Sequence, residues 1–315
     1  MVLAMNIAET ATNSQVAPQP ARHARISELT GWIFLIALPA LVAIFRSTLA
    51  PWQFMWALSI AIFFGCKWET WVAARYAGVR PSAARNFGYL LLWPGMDARG
   101  FLSANKQSAG PSAKNWAMAS LKTLSGCCLI WLAAQRVAHG NGSLAVGWLG
   151  MIGLILTLHF GAFDLMALVW QAVGVAANPI MRSPMLSTSL SEFWGKRWNL
   201  GFKQLTHGLV FQPARKRFGT SAATLLAFLA SGLIHDLVIS FPAGGGYGLP
   251  TAYFLLQGVG ALVQRSRLAA RLGIGSGFFG WLFTLAFTAG PVFWLFHPRF
   301  VRVVMLPFFA WIGSV

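Results

Sequence analysis

A histidine followed by an acid lies inside an apolar stretch that is long enough to cross a bilayer. The stretch runs from Ser221 to Phe241 and contains Ser231-Gly-Leu-Ile-His235-Asp236. A protonatable side chain is costly at membrane depth, so such residues usually mark a functional site. An imidazole titrates near neutral pH and can act as a general base. His235 is therefore the first candidate for chemistry. The alternative is a structural histidine that donates a hydrogen bond to a neighbouring helix.

A dense aromatic and basic run precedes this stretch and ends at Asn199. It reads Ser189-Leu-Ser-Glu192-Phe-Trp-Gly-Lys-Arg-Trp-Asn199. Ser189 and Glu192 have the spacing of a capping box, which predicts a helix that begins at Leu190. The Asn199 carboxamide could orient a reacting carbonyl or the base. Asn199 is predicted to close this helix, and its alternative role is that of a polar residue near the C-terminal end of an interfacial helix.

Other side chains in and near these runs are candidates for substrate contact. For the tryptophans and cations of the run, the alternative is an aromatic belt with snorkelling cations. Ser231 lies one helical turn before His235 on the same face, whereas Asp236 points about 100° away and is expected to anchor the helix. His159 and Asp164 lie about 140° apart on a helix and are not expected to form a dyad. The candidates for substrate contact are Trp194, Lys196, Arg197, Trp198, Ser231, Asp236 and His159.

The elements that must position these residues are membrane helices. The chain of 315 residues is 57% hydrophobic. Only 10% of its residues are charged, well below the roughly 25% that is typical of a soluble domain. The apolar runs predict an all-α, polytopic membrane protein with about eight transmembrane helices and additional interfacial helices. Residues 1–28 are predicted to be a disordered cytoplasmic tail and residues 29–315 a single membrane-embedded domain. The predicted spans are 31–46, 51–66, 117–137, 144–175, 220–241, 249–264, 277–296 and 300–315.

The 144–175 run is too long for one straight crossing, so a tilted, broken or double helix is expected there.

The basic residues predict the orientation of the chain. They lie mainly in three loops, at 67–115, 178–217 and 265–271, while the turns at 138–143 and 242–248 contain no lysine or arginine. Positive loops are retained in the cytoplasm, so both termini are predicted to be cytoplasmic. The net charge of +17 is thus assigned to topology and to anionic lipid head groups or an anionic donor, not to nucleic acid.

Residues of other kinds indicate little further chemistry. Cys66, Cys127 and Cys128 have no metal-ligand spacing, so free thiols and no metal are expected. His139, His207 and His297 lie at the edges of predicted spans and are interpreted as interfacial. Nothing in the sequence specifies an oligomeric state.

The paired motifs resemble the wax synthase branch of the membrane-bound O-acyltransferases. Phe193-Trp-Gly-Lys-Arg-Trp-Asn199 with Ser231-Gly-Leu-Ile-His235 carries the resemblance, supported by Leu92-Trp-Pro-Gly-Met-Asp97 and Phe160-Gly-Ala-Phe-Asp164-Leu. The motif core covers about 88–241. The resemblance implies transfer of a fatty acyl group from acyl-CoA, as co-substrate without a cofactor, to a lipophilic alcohol. It also implies His235 as the base and Asn199 as the second site residue. Family members commonly have Glu where this chain has Asp236.

Two alternatives from other classes stay open on the sequence. A proton- or ion-coupled transporter would use His235, Asp236, His159 and Asp164 as an intramembrane relay. A scaffold without catalysis would make His235 and Asn199 incidental. An acyltransferase requires these two residues to line one cavity. Its basic residues Lys196, Arg197, Lys203 and the cluster Arg215-Lys-Arg217 could then attract the phosphates of the donor.

Overall fold

The described part of the chain is built from helices joined by short loops. The computed structural model describes residues 21–103 and 110–314, with side chains from residue 32 onward, and within these ranges it has no β-strand. The all-α prediction is therefore confirmed for the described residues. The helices are α1 (Ala21–Ile44), α2 (Pro51–Tyr76), α3 (Ala83–Leu91), α4 (Ala98–Leu102), α5 (Ala113–Ala138), α6 (Leu144–Ala172), α7 (Leu190–Glu192, continued by the π-helical turn Phe193–Arg197), α8 (Leu200–Ala243), α9 (Leu249–Gln264), α10 (Arg267–Arg271), α11 (Gly277–Leu295) and α12 (Pro298–Phe300, continued through Val301–Met305 and Leu306–Gly313).

Four of these helices are long and apolar enough to cross a membrane. They are α5, α6, α8 and α11, and a shorter apolar helix covers Trp32–Ile44. The predicted spans at 51–66, 249–264 and 300–315 do form helices, but α9 has only 16 residues and α2 continues to Tyr76 through charged positions. The count of eight transmembrane helices therefore stays a prediction.

The long apolar run forms one continuous helix, α6, whose winding changes in the middle. It is continuous over Leu144–Ala172, with a π-helical segment at Ile155–Ala162 in the middle. His159 lies in that segment. A π-helix inserts extra residues per turn and is frequently found at functional sites. Glycines let α5 approach α6 closely, since a Cβ on Gly153 would lie 2.8 Å from the Gly126 carbonyl oxygen.

The α8 helix is too long for a single crossing and is divided by a glycine. At about 1.5 Å per residue, its 44 residues correspond to roughly 66 Å, about twice the hydrocarbon thickness. Gly219 has φ 80°, a left-handed conformation that breaks the helix and that glycine adopts without penalty. The apolar part after Gly219 carries His235 and continues through a π-helical turn, Asp236–Ser240, to Ala243.

The first helix begins earlier than expected. The predicted tail covers residues 1–28, but Ala21, the first described residue, already belongs to α1. The remainder of that prediction falls on residues 1–20, which lie outside the described residues.

Candidate active site

A cavity of about 640 Å³ lies between α2, α7, α8 and α9. Both His235 and Asn199 line it, although 36 residues separate them in the sequence. The juxtaposition that an acyltransferase requires is therefore present. The polar and charged residues of its wall are Ser59, Ser191, Lys196, Asn199, Lys203, Thr206, His207, Thr224, Ser231, His235 and Arg265. Its larger apolar side chains are Ile62, Phe63, Leu190, Trp194, Trp198, Phe202, Phe211, Phe228, Ile234, Val238 and Phe254.

His235 is held in a tautomer suited to a base. Its Nδ1 lies 2.7 Å from the carbonyl oxygen of Ser231, one turn earlier on α8. A carbonyl only accepts, so Nδ1 carries the proton and Nε2 keeps its lone pair. The ring packs on Phe254 of α9, with 4.3 Å between ring centroids. His235 is thus oriented by its own helix and by one aromatic neighbour.

A glycine brings α9 close enough to make that aromatic contact. A Cβ on Gly232 would lie 2.7 Å from the Cα of Thr251, so only glycine fits at this helix crossing. Phe254 lies one turn beyond Thr251 on α9. The Ser-Gly-Leu-Ile-His spacing therefore places both the close helix contact and the imidazole on the same part of α8.

Asp236 secures the start of α9 and does not line the cavity. Its Oδ1 accepts from the Gly248 amide at 2.9 Å and the Ser240 hydroxyl at 2.8 Å. Its Oδ2 accepts from the Thr251 amide at 3.2 Å and also from the Thr251 hydroxyl. These donors include free amides at the N-terminus of α9, which a carboxylate stabilises. The anchoring role matches the expectation, while the assignment of Asp236 to substrate contact is not supported.

Asn199 begins a helix instead of closing one. It adopts a left-handed conformation (φ 40°) and its Oδ1 accepts from the Phe202 amide at 3.3 Å as the N-cap of α8. The backbone on either side is fixed by bonds from Arg182 N to Arg197 O (2.8 Å) and from Leu200 N to Ile180 O (2.9 Å). The expectation that Asn199 ends the aromatic-basic helix was wrong, because that helix ends at Arg197. With Oδ1 used for the cap, the Nδ2 donor is the part of the amide left for a ligand.

The predicted start of α7 is confirmed, with one change in its cap. The Ser189 hydroxyl accepts from the Glu192 amide at 3.1 Å. Glu192 does not reach back to Ser189; its Oε2 accepts from the Thr188 amide at 2.8 Å. That backbone hydrogen bond, together with Arg197, lowers the pKa of the Glu192 carboxyl. Glu192 therefore carries a negative charge at neutral pH and fixes its end of the helix.

Arg197 stabilises the backbone around the site and does not line the cavity. Its Nε lies 2.7 Å from Glu192 Oε1, and its Nη1 donates to the carbonyl oxygens of Arg182 and Ser183. The arrangement gives no support to the predicted substrate contact of Arg197, because the π-helical turn directs this side chain towards Glu192.

The tryptophans do line the cavity, and one of them separates it from His159. Trp194 donates through Nε1 to Gln257 Oε1 at 3.3 Å and packs on Phe254, with 5.4 Å between ring centroids. Trp198 stacks on His159, with 6.4 Å between ring centroids. His159 therefore lies behind Trp198 and does not line the cavity. Its assignment to substrate contact is not supported by this arrangement.

The cations at the cavity are only partly those expected. Lys196 and Lys203 line it, as does Arg265 at the end of α9, whose Nε donates to Ser191 Oγ at 3.0 Å. The cluster Arg215-Lys-Arg217 is exposed and lies outside the cavity wall. Sequence reasoning missed Arg265, since nothing local relates it to α7.

Sequence reasoning also misplaced His207, which it assigned to an interface. His207 lines the cavity and pairs with Gln212, with 2.8 Å between its Nε2 and the Gln212 Nε2. Lys203, His207 and Phe211 recur every four residues and all line the cavity. That period on one helical face was the available signal.

The segment that contains Asn199 and His235 is similar to known proteins. Residues 177–256, which include Asn199 and His235, match the model of the membrane bound O-acyl transferase family. A probable long-chain-alcohol O-fatty-acyltransferase 7 of Arabidopsis thaliana is 29% identical over 168 residues, 48% of this chain and 47% of that protein. The long-chain-alcohol O-fatty-acyltransferase of Simmondsia chinensis is 28% identical over 170 residues, 48% of each chain.

A relative with a different named substrate matches as well. The acyl-CoA–sterol O-acyltransferase 1 of Arabidopsis thaliana is 30% identical over 144 residues, 40% of this chain and 39% of that protein. The chain spans about half the length of the curated relatives it matches. The resemblance to the wax synthase branch is thereby confirmed over this part of the sequence.

Proposed function

We propose that this chain is an integral membrane O-acyltransferase that moves a fatty acyl group from acyl-CoA to the hydroxyl of a lipophilic acceptor. The observation that carries the proposal is that His235 and Asn199 line one largely apolar cavity. A long-chain alcohol is the default acceptor, because most of the named relatives are long-chain-alcohol O-fatty-acyltransferases. The product would be a wax ester.

The proposed reaction is a direct transfer. Nε2 of His235 removes the proton from the acceptor hydroxyl as its oxygen attacks the thioester carbonyl carbon. The Asn199 Nδ2 donates to the carbonyl oxygen as negative charge develops on it. The carbon–sulfur bond then breaks, and the coenzyme A thiolate leaves and takes up the proton from His235. The acyl–oxygen bond replaces the acyl–sulfur bond, so no cofactor is required.

The spacing along α9 suits the donor. Phe254 marks the level of His235, and Arg265 follows eleven residues later, about 16 Å along the helix axis. In acyl-CoA, about 14 bonds separate the thioester carbonyl from the first phosphorus, an extended length of roughly 17 Å. We therefore place the donor phosphates near Lys196, Lys203 and Arg265, with the acyl chain among the aromatic side chains.

This placement predicts which cations bind the donor. Replacing Lys196, Lys203 and Arg265 together with glutamine should raise KM for acyl-CoA at least about tenfold, the factor that about 1.4 kcal/mol of lost binding produces. The value of kcat should change much less, since these contacts form before the transition state. The matched control replaces Arg215, Lys216 and Arg217 with glutamine and should leave KM unchanged. An equal rise in both triple variants, or none in the first, contradicts this donor site.

The orientation of the chain belongs to the same proposal. We place both termini and the basic cavity edge on the cytoplasmic side, with eight spans in all. Tyr247, in the turn at 242–248, has an exposed side chain. A Tyr247→Cys protein should react with a membrane-impermeant thiol reagent only from the non-cytoplasmic side. Labelling of this cysteine from the cytoplasmic side alone would show that the proposed orientation is wrong.

The direct test of the function is ester formation by the purified protein. Labelled acyl-CoA is supplied with a long-chain alcohol, a sterol or a diacylglycerol, and the esters are separated and counted. We expect ester from the long-chain alcohol. The transporter alternative receives no support from the site, because Asp236 is bonded into the turn before α9 and His159 lies behind Trp198. Proton-coupled flux in liposomes with no ester from any acceptor would favour the transporter.

A further inference from the structure

A lysine that the proposed reaction does not use lies fully buried in α2. The Lys67 side chain is completely inaccessible, and its Nζ donates to the Gly95 carbonyl oxygen at 2.6 Å. The same Nζ lies 3.5 Å from the centre of the Tyr89 ring. Neither of the two ion pairs found among the described residues includes Lys67. A buried amine that has no carboxylate partner must satisfy its donors within the protein, so the groups it contacts are held close to it.

The contacts of Lys67 fix one loop. Gly95 belongs to the Trp93-Pro-Gly-Met96 segment between α3 and α4. This segment has no helical hydrogen bonds of its own, and Lys67 binds the carbonyl at its centre. Tyr89 is in turn held by Thr70 on α2, with 2.7 Å between the two hydroxyl oxygens. Lys67 and its aromatic partner thus attach this loop to α2 at a defined position.

The loop supports the turn that carries Asn199. A Cβ on Gly201 would lie 3.2 Å from the Met96 amide nitrogen and 3.6 Å from the Gly95 Cα. Gly201 is the second residue of α8, and Asn199 is the N-cap of that helix. The Gly95–Met96 peptide therefore packs directly beneath the first turn of α8. A shift of this peptide would move the Asn199 amide relative to His235.

We propose that Lys67 is a positioning residue that sets the place of Asn199 in the cavity through the Gly95–Met96 peptide. The proposal rests on the proposed function, because its readout is acyl transfer. It is tested only in variants of a wild-type protein that forms ester. A wild type without ester formation would count against the function itself, whereas the variants below decide the role of Lys67.

The test combines kinetics with a second mutation. Lys67→Met keeps most of the unbranched side chain and removes the donor to the Gly95 carbonyl oxygen. We expect kcat to fall about 10- to 100-fold, since a misplacement of about 1 Å can cost 10²-fold. The KM values for acyl-CoA and for the alcohol should stay within about twofold. In an Asn199→Ala background, Lys67→Met should cost less than about a further twofold, because the group it positions is already gone.

Lys114→Met, at an exposed lysine near the start of α5, is the matched control and should keep wild-type kcat. Gly201→Ala crowds the same contact from the other side, because its Cβ would lie 3.2 Å from the Met96 amide nitrogen. It should lower kcat and be non-additive with Asn199→Ala. If Lys67→Met is not recovered as monodisperse protein, Gly201→Ala still tests the peptide contact through which Lys67 is proposed to act. A wild-type kcat in Gly201→Ala, or a Lys67→Met loss that adds fully to that of Asn199→Ala, overturns the proposal.

Discussion

Replacing His235 with alanine is expected to remove ester formation almost completely. The loss should reach about 10²–10⁴-fold in kcat, the range that general-base catalysis contributes. His235→Gln should lose as much, because its amide can still donate to the Ser231 carbonyl but offers no base to the acceptor hydroxyl. The measurement is the rate of ester formation from labelled acyl-CoA by purified protein.

Folding is controlled separately from chemistry in this experiment. The neutral imidazole leaves no stranded charge when it is removed, so both variants should be monodisperse in detergent. His159→Ala is the matched histidine control and should cost much less, because His159 lies behind Trp198 and outside the cavity wall. A well-folded His235→Ala protein with near-wild-type turnover would show the proposed mechanism to be wrong.

The sequence was sufficient to predict features that depend on local patterns. The cap at Ser189 follows from residue types three positions apart. The anchoring role of Asp236 follows from its angle to His235 on a helix. The pairing of Asn199 with His235 came instead from the resemblance, since no local pattern relates residues that are 36 positions apart.

The errors arose where the helix departs from regular winding. An α-helix through Asn199 would have continued the faces of the aromatic-basic run, but the π-helical turn Phe193–Arg197 ends it. Arg197 consequently pairs with Glu192, and Asn199 starts a new helix in a left-handed conformation. Such turns are stabilised by distant partners, such as the carbonyls of Ile180 and Arg182, which a periodic pattern does not contain.

Hydropathy alone also could not decide which apolar helices cross the membrane. It registers apolar length, and both a lipid-facing span and a helix buried in a bundle have this property. In α2, Lys67 is fully buried by protein contacts, so a lysine in an apolar helix marks neither the end of the helix nor the membrane surface.

Replacing Asn199 with aspartate is expected to lower kcat about 10²–10³-fold, the loss typical of removing one oxyanion donor. Aspartate keeps the Oδ1 that caps the Phe202 amide, and it tolerates the left-handed conformation nearly as well as asparagine. It loses the Nδ2 donor and directs a negative charge at the oxygen where negative charge develops. The kcat of ester formation and thermal stability in detergent are both measured.

The comparison with Asn199→Ala separates catalysis from capping. Alanine removes the cap as well, which should lower stability by about 1 kcal/mol, whereas aspartate at a helix N-terminus should preserve it. The two variants should therefore differ in thermal stability but share a loss of turnover. If Asn199→Asp retained wild-type kcat, the carboxamide would serve only as the cap of α8. His235 would then act without the donor proposed here, because no other part of the Asn199 side chain can supply a hydrogen bond to the carbonyl oxygen.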